Sequence, residues 1–224
     1  MRLARSKRTL KETRREVNDV QEAAMKKRLG GFLLILWLMC PLHAYSAVPL
    51  ETVKRHVNEV LDLLRDPALK EESGRKAKKE KIRSISEKMF EFDELSRRTL
   101  GQNWNKLSPD QQEEFTVLYR SLLEDAYADK IMSYTNEKVL FKKEITLSEK
   151  TVEVQSTIVT KTSEIPINYR VIEKGGEWKV YDVVIENVSL VSNYRSQFRE
   201  ILANKTPGAL LEILRKKVGK EQAS

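Results

Sequence analysis

The side chains that do covalent or metal chemistry are scarce in this chain. Its 224 residues hold one cysteine, Cys40, and two histidines, His43 and His56. Cys40 and His43 fall in a leader that reads as removable, which leaves His56. A thiol nucleophile, a Cys/His metal cluster and a His–His ligand pair all need more than that. His56 lies beside the apolar stripe of a helix, where a flank residue is the expected role. The remaining chemistry is that of carboxylates, with Asp182 and Glu186 as the candidates for a base. Asp182 stands inside an apolar strand, so it must be hydrogen-bonded or ion-paired; a structural arginine partner is expected, not a general base. No Ser/Lys or carboxylate pair stands at a telling spacing.

The formal net charge of +8 suggests a nucleic-acid or membrane-surface binder, but its placement removes that reading. Residues 1–28 hold ten Lys/Arg against four acids, and residues 29–46 hold no charge, so residues 47–224 carry only +2. No nucleic-acid partner is expected. The stretch MKKRLGGFLLILWLMCPLHAYSA (Met25 to Ala47) reads as a secretory signal: a basic start, the apolar run Phe32–Cys40, and small residues Ala44 and Ser46 before a cut ahead of Ala47. The expected division is therefore 1–24 as an upstream extension, 25–46 as signal peptide and 47–224 as a single domain. The other reading is that Met1 is the start and the basic region is long. A transmembrane anchor needs ~20 apolar residues, and a lipoprotein signal needs a small residue where Met39 stands. Export into an oxidising compartment would leave a chain without cysteine or disulfide.

The periodicities that must position any site fall into helices, then strands, then helices. Leu50, Val53, Val57, Leu61 and Leu64 recur at helical spacing behind Pro49 and stop at Asp66-Pro67. Lys70–Ile82 is charged and reads as a solvated helix face or loop, with a basic membrane-contact patch as the sharper alternative. Ile82, Ile85, Met89 and Phe90 resume an apolar face. Asp93 is expected to cap a short helix carrying Leu95 and Leu100, with Gly101 at its C′ position. Ser108, Pro109 and Gln111 form a capping-box start. The helix it opens has one broad apolar face: Phe115, Leu118, Tyr119, Leu122, Leu123, Ala126, Tyr127 and Ile131.

After Asn136 the period changes to two. A less regular strand spans Val139–Ile145; Val152, Val154 and Ile158 share a face of the next, and Ile165, Ile167, Tyr169 and Val171 alternate in a third. Gly175-Gly176 turns into Glu177–Ile185, making a hairpin. Apolar residues fall on both faces of that last strand, Trp178, Val180 and Val184 on one and Tyr181, Val183 and Ile185 on the other, so it is expected to be buried on both sides. Val191, Tyr194, Phe198, Ile201 and Leu202, then Leu210, Leu211, Leu214 and Val218, form closing helices. The fold class is α+β: N-terminal helices, a meander of about four antiparallel strands, C-terminal helices.

Such an apolar inventory is either ordinary core or the wall of a cavity for an apolar ligand. Each buried methylene is worth ~0.8 kcal/mol, so a two-chain lipid of roughly thirty methylenes cannot cross water unshielded. A carrier of such a lipid needs apolar volume and no nucleophile.

Two long motifs carry a resemblance. FDELSRRTLGQNWNKLSPDQQEEF presents Phe92, Asp93, Leu100, Gly101, Trp104, Pro109, Gln111 and Phe115; Leu123 and Tyr127 follow in the long helix. INYRVIEKGGEWKVYDVVIENVSLVSNYRSQF presents Tyr169, Arg170, Trp178, Tyr181, Asp182, Val183, Ser189, Asn193, Arg195 and Phe198. The chain resembles the MlaC family over nearly all of residues 47–224. These are periplasmic phospholipid-binding components of the ABC transport system that maintains outer-membrane lipid asymmetry, also called toluene-tolerance proteins. One departure is Asn187, where the family often has glycine; asparagine tolerates a left-handed turn, so the turn is expected to survive.

The resemblance implies a nuclear-transport-factor-2-like α+β fold extended by helices, with a deep apolar pocket for phospholipid tails and no cofactor, metal or catalytic residue. It implies a monomeric, periplasmic, non-enzymatic carrier, exported by a cleavable signal. Its partners would be phospholipid, an inner-membrane ABC transporter complex and an outer-membrane lipoprotein complex. Acyl-chain candidates are Leu118, Leu122, Val154, Ile158, Ile167, Tyr169, Tyr181, Val183 and Ile185, each with ordinary core packing as the competing role. Arg170 and Arg195 are either surface ion pairs or headgroup and partner contacts. Trp104 and Trp178 read as packing anchors. The competing functions are an exported enzyme on the same fold with Asp182 or Glu186 as base, and a ligand-free structural envelope module.

Overall fold

The computed structural model describes residues 48–67, 72–134 and 137–221. The Met25 start, the 25–46 signal and Cys40 lie outside the described residues. The elements are α1 (Pro49–Arg65), α2 (Glu72–Met89), α3 (Phe92–Leu100), a 3-10 helix over Gly101–Lys106, and α4 (Pro109–Ser133). Then come β1 (Lys138–Ser148), β2 (Thr151–Val159), β3 (Glu164–Lys174), β4 (Glu177–Ile185) and the two-residue β5 (Val188–Ser189), followed by α5 (Leu190–Asn204) and α6 (Pro207–Glu221). The sheet is an antiparallel meander in the order β1-β2-β3-β4-β5. This is the α+β class that the periodicities predict, and it agrees with the nuclear-transport-factor-2-like frame; β5 is an addition that two residues could not announce.

Local chemistry explains the element ends. Ser108 Oγ accepts from the Gln111 amide at 3.3 Å and the Gln111 side chain accepts from the Ser108 amide at 3.1 Å, so α4 starts on a complete capping box with Pro109 at N1. Gly101 ends α3 at φ 55°, ψ −127°, a conformation open to glycine. The start of α3 differs from expectation. Asp93 lies in its first turn and Glu91 is the N-cap residue, because the chain is fixed one step earlier: Phe90 bridges to Val180 and the Glu91 amide donates to the Val180 carbonyl at 2.8 Å. Asp93 still complements the helix dipole from there. The β4–β5 turn holds Glu186 at φ 48° and Asn187 at φ 68°, so the left-handed turn is made without glycine.

Two apolar clusters result. The first is helical: Leu95, Leu100, Phe115, Tyr119, Leu122, Leu123, Val191, Tyr194, Phe198, Leu210, Leu211 and Leu214, with Trp104 and Leu118 at its margin. Its centre is aromatic, with Tyr119 edge-on to Tyr194 at 5.2 Å and to Phe198 at 5.4 Å. Trp104 meets Phe115 edge-on at 6.4 Å, the packing anchor that its position between two helices suggests. The second cluster lies on the sheet, where Val53 of α1 and Met89 of α2 meet Val152, Val154, Val171, Val180 and Val183. The long helix therefore serves both clusters: its Phe115–Leu123 half packs among helices, and Tyr127 beyond it reaches the sheet cluster.

Candidate functional site: an apolar trough on the sheet

The register puts the strand side chains in rungs across one sheet face. Val152, Val171 and Val180 form the first, Val154, Tyr169 and Val183 the second, Ser156, Ile167 and Ile185 the third, and Ile158 with Ile165 the fourth. Phe141 and Val139 of β1 continue the third and fourth. The assignment of β4 faces needs correction here. Arg170 pairs with Asp182 but Val171 pairs with Val180, so Tyr181 is an extra residue in a β-bulge. A bulge changes the parity of alternation, and Val180 therefore shares a face with Val183 and Ile185 while Val184 turns to the other.

Burial falls along this face. The first rung is sealed, with Val171 at 0% and Val180 at 1% exposure, and Ile158, Ile165, Ile167 and Ile185 toward the β2–β3 turn are half-buried. Ser156, the polar residue in the floor, is 2% exposed and donates to the Ile167 carbonyl at 2.6 Å, so it offers no free donor to the trough. Leu50 and Val57 of α1 and Tyr127 of α4 line the other side. Tyr169 is only half-buried, yet burial pushes its hydroxyl well above the usual phenol range, with Tyr134 adding to the shift.

Among the described residues the sheet cluster is far less sealed than the helical one. Eight buried apolar side chains are accompanied by nine half-buried ones, against fourteen and six in the helical cluster. Half-buried aliphatic and aromatic groups gathered on one sheet face are the lining of an apolar trough. A separate cleft of about 730 Å³ lies between α1 and α2, but Glu59, Asp62, Arg65, Asp66 and Lys81 are among its lining, which suits water and not acyl chains.

The remaining candidates fall elsewhere. Leu122 is 1% exposed in the helical cluster, and Leu118 packs against the same cluster. Tyr181, on the bulge, is buried under the Arg98 guanidinium, 4.1 Å from its ring centre. Asp182 has the arginine partner expected of it: Arg170 Nη1 donates to Oδ2 at 3.1 Å, joined by Ser189 Oγ at 2.7 Å, while the Val191 amide donates to Oδ1 at 3.1 Å. Arg170 also donates to Glu153 at 3.1 Å, which makes it a brace on the sheet face opposite the trough. Arg195 donates through Nε and Nη2 to the Arg98 carbonyl at 3.0 and 2.7 Å, capping the end of α3. Trough residues that sequence reading passed over are Leu50, Val57 and Tyr127, which stand in apolar stripes, and Phe141 of the less regular strand; they meet only through tertiary packing.

Among the described residues no group of three or more His, Cys, Asp or Glu could hold a metal ion, and no helix is long and apolar enough to cross a membrane.

The MlaC protein family model matches residues 54–216. Over 101 residues the chain is 30% identical to the intermembrane phospholipid transport system binding protein MlaC of Haemophilus influenzae, an alignment covering 43% of this chain and 47% of that protein. The matched segment thus spans about half of that relative. Toluene tolerance protein ttg2D of Pseudomonas putida is 22% identical over 173 residues, covering 76% of this chain and 80% of that one. The solved phospholipid-binding protein of Ralstonia solanacearum, in complex with a phospholipid, superposes with a TM-score of 0.70 at 25% identity, covering 79% of this chain and 99% of that one. A match across 54–216, joined to the shared architecture, shows that this chain belongs to the MlaC protein family.

Proposed function

We propose that the protein is a periplasmic phospholipid carrier. It would shield acyl chains in the trough and pass lipid between an inner-membrane ABC transporter complex and an outer-membrane lipoprotein complex. The observation that carries this reading is the graded opening of the sheet cluster, from Val171 at 0% exposure to the half-buried Ile167, Ile185 and Ile158. The phospholipid in the Ralstonia structure supports the ligand class. Ile158, Ile167, Tyr169 and Ile185 form the acyl wall in this reading, backed by the buried Val154 and Val183, with the headgroup toward the β2–β3 turn. Export by the signal at 25–46 goes with the compartment and with a domain lacking cysteine.

An enzyme built on Asp182 is disfavoured by that residue's partners. Both of its oxygens accept bonds from Arg170, Ser189 and Val191, so the carboxylate is engaged in holding β3, β4 and α5 together. Glu186 lies exposed in a turn. Organic extraction and mass spectrometry of the purified protein test the carrier reading. About one phospholipid per chain is expected; protein that is lipid-free and also takes none from vesicles would refute it.

A further inference from the structure

The trough holds a hydroxyl that the protein itself does not use. Of the side chains that β2, β3 and β4 place in the four rungs, only Ser156 and Tyr169 carry a polar atom. Ser156 is engaged with the Ile167 carbonyl. Among the described residues no group makes a hydrogen bond with the Tyr169 hydroxyl, although the residue is half-buried and flanked in its rung by Val154 and Val183. A phenol among aliphatic neighbours gives up water without gaining a partner, so an acceptor brought by the occupant is favoured there.

The surroundings decide which acceptor fits. By register no Lys or Arg stands in any rung. Arg170, the next residue along, turns to the opposite face and is bound to Glu153 and Asp182. β1 continues the second rung with Glu144, a carboxylate that accepts from the Leu50 amide. A phosphate or a free fatty-acid carboxylate at this depth would meet an anion and no cation. The acceptor is therefore uncharged, and in a diacyl lipid the uncharged acceptors near the tails are the ester carbonyls that join them to glycerol. The position along the trough agrees. Tyr134 follows the last residue of α4 and stands four positions before Lys138, which pairs with Val159 beside the β2–β3 turn. Burial raises the Tyr169 hydroxyl, and Tyr134 is near enough to add to that rise. The Tyr169 ring thus reaches from a rung of buried valines toward the rim, where the esters lie when the headgroup stays at the turn.

We infer that the Tyr169 hydroxyl is the polar anchor of the trough, donating to an ester carbonyl of a bound diacyl lipid and so favouring ester-linked over ether-linked tails. The inference rests on the carrier reading and adds a specificity to it: the ring carbons belong to the acyl wall, and the oxygen reads the linkage. A site that holds one free donor in apolar surroundings discriminates against the analogue that lacks the matching carbonyl. One neutral hydrogen bond of this kind is worth roughly three- to tenfold in affinity.

The test offers the full chain vesicles of dipalmitoyl phosphatidylglycerol, or of its dihexadecyl ether analogue, in competition with a fluorescent phospholipid already bound. The parent should favour the diacyl lipid about three- to tenfold. Tyr169→Phe keeps the ring and should bring the two lipids within about twofold by weakening the ester lipid alone. Infrared spectra of isotope-labelled ester carbonyls should show a band at lower frequency on the parent than on Tyr169→Phe, a shift that altered packing of the wall does not produce. That band also tests the parent by itself, with the lipid in vesicles as reference, if the variant folds poorly. Equal affinities in the parent, or a preference that survives Tyr169→Phe, overturns the anchor. A preference lost in Tyr134→Phe and kept in Tyr169→Phe overturns it too, by giving the role to Tyr134. Uptake of both lipids alike leaves the carrier reading standing without the anchor, whereas a chain that takes up neither refutes the carrier reading and the anchor together.

Discussion

Asp182 illustrates how a residue can look catalytic and act as a clasp. It is 2% exposed and takes bonds from three donors on β3, β5 and α5. Asp182→Ala should therefore cost about 3 kcal/mol, because it strands the Val191 amide and the Ser189 hydroxyl and frees Arg170. Urea denaturation measures this, and the surviving folded fraction should hold as much lipid per chain as the parent. The tyrosines make a second prediction. Burial, as the first cause, raises the hydroxyls of Tyr119, Tyr127, Tyr169 and Tyr181 above the ordinary phenol value. A raised folded pKa means stability fully present below the unfolded value of about 10 and lost as pH rises beyond it. Absorbance at the phenolate band should accordingly lag the titration of free tyrosine and then rise together with loss of far-UV dichroism. Titration of all the tyrosines near pH 10 with the fold intact would contradict this.

Among the elements, the wall from Leu100 to Phe115 is set by two local devices. Gly101 sits at φ 55° with no atom within 4 Å of where a Cβ would stand, so Gly101→Ala is a pure backbone penalty of about 2 kcal/mol. Ser108→Ala removes half of the capping box and should cost about 1 kcal/mol. Both substitutions lower the thermal midpoint without touching the trough, and their effects should add because the sites share no partner. The β4 bulge is the element with functional consequence. By inserting Tyr181 it turns Val183 and Ile185 to the trough side, and Asp182 to the side where Arg170 and Ser189 wait.

At the scale of the molecule, two apolar clusters divide the labour: the helical one is sealed and the sheet one is graded. This contrast predicts different outcomes for substitution. Ile167→Trp, which fills the half-buried third rung, should lower co-purified phospholipid several-fold and shift the melting midpoint by only a few degrees. Leu122→Ala, in the sealed cluster, should cost about 2–5 kcal/mol and leave lipid per folded chain unchanged. Equal effects of the two on bound lipid would remove the distinction between wall and core.

Much of this was legible in local chemistry. The switch of period from helical to two after Asn136, the Ser108–Pro109–Gln111 start, the Gly101 stop, the Gly175-Gly176 hairpin and the need of Asp182 for a partner are all properties of a few neighbouring residues. They suffice for the α+β class and, with the two long motifs, for the family. The trough residues were legible only in part. Alternation names Ile167 and Tyr169, but the bulge that decides which β4 residues join them depends on how Arg170 and Val171 pair with another strand. Leu118 and Leu122 share a stripe with Tyr127, yet packing against α5 and α6 draws them into the helical cluster and leaves Tyr127 over the sheet. The charged run of α2 reads as a solvated face until the acids of α4 are set opposite it at one-turn intervals. What the sequence by itself determined is which segments are helix or strand and which residues are apolar, since those rest on contacts within a few positions. Only the tertiary structure decided which apolar face closes and which stays open, because that depends on what distant segments bring to cover it.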